Sequence, residues 1–122
     1  MMTLVGDQSP RVLVVDDNDE VRKNWVRLLG RRVEVLEAVS LKEGERLYKA
    51  NPDIVLVVLD ACVPGDTPNA MGLADLIRKS FAGPIIAASN CSRYRQMLVN
   101  AGCTHQEEKF NVPAAICKLL GV

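Results

Sequence analysis

The chain of 122 residues has few aromatic side chains, no net charge and no long apolar segment. Phe, Trp and Tyr make up 4% of the residues, and 15 basic residues balance 15 acidic ones. A protein that binds nucleic acid directly is expected to carry a basic excess, so this balance argues against that class. No apolar run approaches the roughly 18 to 20 residues that span a membrane. We therefore expect a protein that contacts neither nucleic acid nor membrane directly.

Histidine and closely spaced cysteines are also scarce. His105 is the only histidine, and the four cysteines include no C-x-x-C pair. This spacing matches none of the common zinc-finger patterns. Residues 1–10 lack the basic region and apolar core of a signal peptide, so the separated thiols indicate a reducing cytoplasm. We predict a cytoplasmic protein with a loose leader over residues 1–10 and one domain over residues 11–122.

The most informative stretch is a run of six apolar residues, 54–59, that leads directly into Asp60. Turn-forming residues flank it, with Pro52 before the run and Pro64-Gly65 after it. A short, unbroken and mostly β-branched run predicts a strand that is buried on both faces, as in the centre of a parallel sheet. Asp60 is then expected at the carboxyl end of that strand, where open α/β sheets bind their ligands.

Strand patterns and helix patterns alternate strictly along the chain. The predicted strands cover 11–15, 33–36, 54–60, 85–88 and 103–109, and the predicted helices cover 18–29, 40–48, 71–81, 94–101 and 111–120. Five βα units in this order indicate right-handed crossovers between parallel strands. We predict an α/β fold, a (βα)₅ doubly wound, five-stranded parallel sheet with helices on both faces.

Acidic residues lie at the ends of two predicted strands. Asp16 and Asp17 follow the first strand, and Asp60 ends the third. If these strands are neighbours, the crowded carboxylates need a cation, and Mg²⁺ prefers such oxygen ligands. Ser89 and Lys109 end two further strands at the same edge. Carboxylates, a divalent metal, a hydroxyl and an ammonium suit the transfer of a phosphoryl group, for which an aspartate can be the nucleophile.

With these features the chain resembles a receiver domain of the two-component response-regulator family, over about residues 11–121. The matching motifs, in chain order, are Val12-Leu13-Val14-Val15-Asp16-Asp17, Leu59-Asp60 with Pro64-Gly65, Gly72-Leu73, Pro84-Ile85-Ile86-Ala87-Ala88-Ser89, Ala101-Gly102 and Lys109. The resemblance implies a flavodoxin-like receiver fold and a phosphoprotein of a phosphorelay.

The resemblance also implies roles for the acidic residues. Asp60 would accept a phosphoryl group from a histidine kinase or a phosphotransfer protein. Asp17 and Asp60 would ligate Mg²⁺ together with the backbone carbonyl of Cys62, and Asp16 would hold a metal-bound water.

Two further residues would respond to the phosphoryl group. Ser89 would bond a phosphoryl oxygen, and Lys109 would pair with that group. The resulting switch of a surface would be recognised by a downstream protein target or by a fused output domain. Such a domain catalyses only its own phosphorylation and slow dephosphorylation.

Three features depart from the family pattern. Six residues, 66–71, precede Gly72, where most receivers have three. Phe110 follows Lys109, where the family generally has a proline after a cis bond. A cis bond before a residue other than proline costs about 3–4 kcal/mol, so we expect a trans bond and a rearranged final loop. Gln106 replaces the aromatic residue that usually reports phosphorylation.

Other functions and plainer roles are open for the same residues. Ser89 could be a helix N-cap, and the acids could be solvated strand ends. A binding module that docks without phosphorylation is favoured by Gln106 and Phe110. A Mg²⁺-dependent phosphohydrolase would need a general acid two residues after Asp60, where Cys62 lies.

Two cysteines and the tryptophan have weaker predictions. Cys62 and Cys91 each follow a site residue by two positions. They either influence the lifetime of the phosphoryl group, with a possible response to oxidation, or are reduced thiols without a role. Trp25 lies on the apolar stripe of the first helix and is predicted to pack in the core.

Overall fold

The computed structural model describes residues 9–122 as one parallel sheet covered by helices. The strands are β1 (Arg11–Val15), β2 (Glu34–Ala38), β3 (Ile54–Asp60), β4 (Ile85–Ala88) and β5 (His105–Glu107). The helices are α1 (Asp19–Leu29), α2 (Leu41–Ala50), α3 (Met71–Arg78), α4 (Ser92–Ala101) and α5 (Val112–Leu120). The strands lie in the order β2-β1-β3-β4-β5, and every pair is parallel. The predicted (βα)₅ doubly wound, flavodoxin-like fold is confirmed.

Helices cover both faces of the sheet, as the apolar runs of the strands predict. Side chains of α2, α3 and α4 pack on one face around Leu13 and Val57. Side chains of α1 and α5, including Trp25, pack on the other face around Val12 and Val58. The buried central strand is confirmed apart from Val55, which is 38% exposed. Of the predicted leader, residues 1–8 lie outside the described residues.

Two of the five helices, α1 and α2, begin at a side-chain cap. The Asn18 side chain accepts a hydrogen bond from the backbone of Val21, and the Ser40 hydroxyl accepts one from the backbone of Glu43. These bonds satisfy N–H groups that a helix start leaves without partners. Asn111, where the last predicted helix begins, instead ends a 3₁₀ turn over Lys109–Asn111, and its side chain makes no capping bond to α5.

Two predicted elements are shorter than expected. Helix α3 ends at Arg78 rather than at residue 81, because the Arg78 guanidinium donates to the carbonyls of Phe81 and Gly83 and the chain turns there. The Phe81 ring then packs edge-on against Tyr48. Strand β5 has three residues instead of seven. Its predicted stretch contained little β-branched sequence to extend the pairing.

The carboxyl edge of the sheet carries the residues singled out from the sequence. Asp60 ends β3 and pairs in register with Ala88 of β4, so Ser89 follows immediately beside it. The Lys109–Phe110 bond is trans, which confirms the expectation for this loop. No helix within residues 9–122 is long and apolar enough to cross a membrane.

Candidate functional site

Three carboxylates meet at the carboxyl edge of the sheet. One oxygen from each of Asp16, Asp17 and Asp60 lies within 4.8 Å of the other two. Asp16 is fully buried, Asp60 is 7% exposed, and Asp17 is exposed to solvent. The adjacency of β1 and β3 produces this cluster, because Val15 and Leu59 pair directly before the acidic residues. The cluster thus combines buried acids with one that faces water.

The Lys109 ammonium joins two of these carboxylates. Its Nζ lies 3.1 Å from Asp16 Oδ2 and 3.4 Å from Asp60 Oδ2. The Lys109 side chain is 22% exposed, so these contacts are shielded from much of the solvent. A partly desolvated cation between two acids lowers the cost of burying them, because each carboxylate gains a charged hydrogen-bonding partner.

Burial and neighbouring charges change the acidity of this group. Burial raises the pKa of Asp60 from its ordinary value of 3.8 to about 6, and the Asp16 carboxylate adds to the rise. Lys109 and the backbone N–H of Cys62 oppose that rise without cancelling it. Burial acts to lower the pKa of Lys109, but Asp16 and Asp60 outweigh it and hold the pKa above 10.5. Lys109 therefore remains charged at neutral pH, while Asp60 is protonated more easily than an exposed aspartate.

The buried Asp16 is held by the start of α1. The backbone N–H of Asn18 donates to Asp16 Oδ1 at 2.8 Å. The Arg22 guanidinium donates to the Asp16 carbonyl oxygen at 2.6 Å and pairs with Glu37 and Asp19. Arg22 is only 5% exposed. The turn from β1 into α1 is thus fixed on both sides of Asp16.

Ser89 has structural bonds as well as a place beside Asp60. Its hydroxyl accepts a hydrogen bond from the backbone N–H of Cys91, the residue that caps α4. Its carbonyl accepts one from Arg95, whose guanidinium also donates to Gln106 at 3.2 Å. The alternative role of Ser89 as a helix N-cap is wrong, because the N-cap of α4 is Cys91. The Ser89 hydroxyl still has its own proton to donate.

The backbone of Lys109 is bonded on both sides. Its N–H donates to Asn90 Oδ1 at 3.0 Å, and its carbonyl accepts from the Trp25 indole Nε1 at 3.0 Å. Trp25 is 2% exposed, so the predicted packing role is confirmed. Its hydrogen bond to the Lys109 carbonyl is not predictable from the sequence pattern.

An open cleft of about 1060 Å³ gives solvent access to these groups. Asp17, Asp60, Ser89 and Lys109 line it, together with Cys62, Cys91, Asp66 and Tyr94. The loop after β3 forms one wall, and the Tyr94 hydroxyl donates to the Asp66 carbonyl at 3.4 Å. All four cysteines are free thiols. Burial and the nearby Asp60 carboxylate raise the pKa of Cys62, which disfavours its reactive thiolate.

The donor set fits a hard divalent cation. Three carboxylate oxygens within 4.8 Å of one another are ligands of the kind that Mg²⁺ prefers, and the open cleft leaves space for water or phosphate ligands. The absence of histidine from this cluster disfavours softer metals. The predicted Cys62 carbonyl ligand belongs to a residue that lines the same cleft.

Comparisons with solved structures find this architecture repeatedly. A two-component response regulator of the LuxR family from Aurantimonas sp. SI85-9A1 is 28% identical, with a TM-score of 0.74 over 93% of this chain and 84% of that one. The BeF₃-activated receiver domain of Klebsiella pneumoniae RstA is 23% identical, with a TM-score of 0.74 over 91% and 95% of the two chains. The chain has the fold of these receiver domains.

A third solved structure with this fold is a response regulator with bound groups. This response regulator, from Burkholderia pseudomallei with a phosphorylated aspartic acid, a calcium ion and citrate, has a TM-score of 0.76 and 21% identity, over 90% of this chain and 66% of that one. No family model matches the sequence, and no curated protein matches it significantly.

Two supporting residues of the site, Arg22 and Asn90, were missed by the sequence analysis. Arg22, Trp25 and Leu29 form the buried face of α1, whereas Leu28 is 44% exposed. An arginine three positions before a tryptophan on a helix stripe was the available signal for a buried cation. Asn90 carried no signal, because its partner is the backbone of a distant residue.

Proposed function

We propose that the receiver domain accepts a phosphoryl group on Asp60 and thereby switches a surface that a partner recognises. The observation that carries this proposal is the Lys109 ammonium between Asp16 and Asp60, at 3.1 and 3.4 Å. Such a charge, beside an aspartate at the carboxyl end of a central strand, is placed to stabilise an anion on that aspartate.

In the proposed reaction, a carboxylate oxygen of Asp60 attacks the phosphorus of a phosphohistidine. The phosphorus–nitrogen bond breaks, the electron pair returns to the imidazole, and Asp60 carries an acyl phosphate. Lys109 stabilises the charge on the phosphoryl oxygens, and the Ser89 hydroxyl donates to one of them. Arg22 and Asn18 keep Asp16 in place during the transfer.

Mg²⁺ is proposed as the cofactor, with Asp17, Asp60 and the Cys62 carbonyl as ligands and Asp16 holding a metal-bound water. When bound, the ion supplies positive charge next to the transferred group. The proposed donor is a histidine kinase or phosphotransfer protein in the cytoplasm, and the proposed recipient of the signal is a downstream protein or an output domain in the same chain. Transfer onto its own side chain and slow hydrolysis are the only catalysis proposed.

Intact-mass spectrometry after incubation with acetyl phosphate and Mg²⁺ tests the proposal. We expect a gain of one phosphoryl group in the wild type and none in Asp60→Asn. Asp53→Asn is the matched control, because Asp53 is exposed at the other end of β3 and pairs with Arg11. An unmodified wild type that also fails to bind beryllofluoride would refute the proposal and leave docking without phosphorylation as the remaining function.

A further inference from the structure

We propose that Trp25 and Asn90 are positioning residues for Lys109. Both hold its backbone at a fixed place, so that its ammonium remains directed at the group attached to Asp60. This inference rests on the proposed phosphoryl transfer and assigns two residues that do not themselves touch the phosphoryl group.

The first support is the exposure of the residues that precede and follow Lys109 in the chain. Strand β5 ends at Glu107, and both sequence neighbours of Lys109 are exposed, with Phe110 at 76%. The next fully buried residue after it is Val112. Side-chain burial of adjacent residues therefore does not fix the position of Lys109.

The second support is the pair of hydrogen bonds that reach Lys109 from separate elements. Asn90, in the turn after β4, accepts from its N–H at 3.0 Å, and Trp25 of α1 donates to its carbonyl at 3.0 Å. With the contacts of its ammonium to Asp16 and Asp60, Lys109 is bonded at both backbone polar groups and at its side-chain end.

Trp25 is a rigid point of attachment. Its ring is 2% exposed and lies within the apolar cluster formed by α1, α5 and one face of the sheet. A buried indole N–H requires a partner, and the Lys109 carbonyl is that partner. Movement of this backbone away from Trp25 would leave a buried donor unsatisfied, so the packed core resists it.

Fixing the backbone matters because a lysine side chain is long and flexible. A displacement of about 1 Å at a catalytic group can cost up to about 100-fold in rate. With its backbone held, the ammonium that now contacts Asp60 Oδ2 stays within reach of oxygens attached to that carboxyl group. Catalytic groups are located most precisely when rigid elements support them.

Kinetics of phosphorylation test this assignment. Trp25→Phe keeps the aromatic packing and loses the N–H donor, and Asn90→Ala loses the acceptor. We expect each variant to lower the maximal rate of phosphorylation by acetyl phosphate about tenfold, with the dissociation constant for Mg²⁺ changed less than about twofold, because the carboxylates remain. Tyr48→Phe is the matched control, since it removes an aromatic polar group that hydrogen-bonds Ser80 away from the cleft. Its rate should equal that of the wild type.

The separation of rate from metal affinity decides between positioning and general stabilisation. A merely structural role would weaken Mg²⁺ binding and lower the rate together. If Trp25→Phe and Asn90→Ala are phosphorylated at the wild-type rate while the wild type is active, the positioning inference is wrong and the proposed function stands. If the wild type itself is never phosphorylated, both proposals fail.

A spectroscopic measurement keeps the inference testable if a variant folds poorly. Trp25 is the only tryptophan, so a ¹⁵N-labelled protein gives one indole resonance. We expect the indole N–H to exchange slowly with deuterium in the wild type, both before and after beryllofluoride and Mg²⁺ are added, because it stays bonded to the Lys109 carbonyl. In Asn90→Ala the exchange should be faster, because the Lys109 backbone has lost its second bond and moves away from Trp25 more often. A wild-type indole N–H that exchanges as fast as an exposed one would overturn the inference.

Discussion

The Lys109 ammonium lies 3.1 Å from the Asp16 carboxylate, although 93 positions separate the two residues in the chain. It also lies 3.4 Å from Asp60, so one cation contacts two buried acids. The stability of the fold therefore depends on the same contacts as the chemistry of the site. Without the Lys109 ammonium, the two buried carboxylates of Asp16 and Asp60 would repel each other.

Lys109→Met should therefore destabilise the folded chain. Removing one partner of a buried ion pair leaves uncompensated charge, and we expect a loss of about 3 kcal/mol in the free energy of unfolding at pH 8 without Mg²⁺. Urea denaturation measures the change. Lys79→Met is the control, because Lys79 pairs with Asp75 on the exposed surface of α3, and such pairs contribute about 0.5 kcal/mol or less. Equal losses in the two variants would contradict the importance of the buried contacts.

Asp60→Asn should have the opposite effect on stability. Burial raises the pKa of Asp60 from 3.8 to about 6, so the ionised form is disfavoured in the folded chain. Stability from this group is fully present below pH 3.8 and is lost as the pH rises through 6. At pH 7.5 the neutral amide removes that penalty, and we expect a gain of about 1–3 kcal/mol without Mg²⁺.

The gain in stability of Asp60→Asn should depend on pH if it comes from the raised pKa of Asp60. Urea denaturation at pH 4.5 should show a much smaller difference between Asp60→Asn and the wild type, because Asp60 is then largely protonated. Asp53→Asn, at a residue that is 61% exposed, should show little gain at either pH. A stability difference that is the same at both pH values would argue against a raised pKa.

The parts of this structure that sequence predicts well are those with a local pattern. The apolar run 54–59 ends in Asp60, and β1 ends before Asp16, so both strand positions and the meeting of the acids follow from alternation of strands and helices. Parallel strands place their carboxyl ends at one edge, and this single rule brings together residues far apart in the chain.

Sequence does not predict the hydrogen bonds that join a side chain to the backbone of a distant residue. Trp25 bonds the carbonyl of a residue 84 positions away, and Asn90 bonds the same residue's N–H. Every residue has these backbone groups, so composition and spacing carry no sign of which one a side chain will bond. Arg22 is similar, because one of its acceptors is the Asp16 backbone carbonyl rather than a side chain.

Two helical glycines should respond oppositely to alanine. A Cβ on Gly44 of α2 would lie 2.9 Å from Cγ2 of Val15, whereas a Cβ on Gly72 of α3 would meet nothing within 4 Å. Because alanine favours a helix over glycine, Gly72→Ala should stabilise by about 0.5–1 kcal/mol. Gly44→Ala should destabilise by about 1–3 kcal/mol, since the packed Val15 must shift. Thermal denaturation of the two variants measures both effects, and a gain in both would show that α2 can move off β1.

The rate of phosphorylation should depend on pH through Asp60. The attacking group is the carboxylate, and with a pKa of about 6 its ionised fraction falls about tenfold for each pH step below that value. We expect the rate with acetyl phosphate at low Mg²⁺ to fall between pH 7 and pH 5, with no decline between pH 7 and 9, because Lys109 has a pKa above 10.5. Mass spectrometry at short reaction times measures this profile.

The variant Asp16→Asn shows whether this pH profile comes from the titration of Asp60 or from that of acetyl phosphate. The Asp16 carboxylate contributes to the raised pKa of Asp60, so its removal should move the midpoint to lower pH. Saturating Mg²⁺ should move the wild-type midpoint in the same direction, since a bound cation favours the ionised carboxylate. A midpoint unchanged by both would mean that acetyl phosphate, and not Asp60, sets the pH dependence.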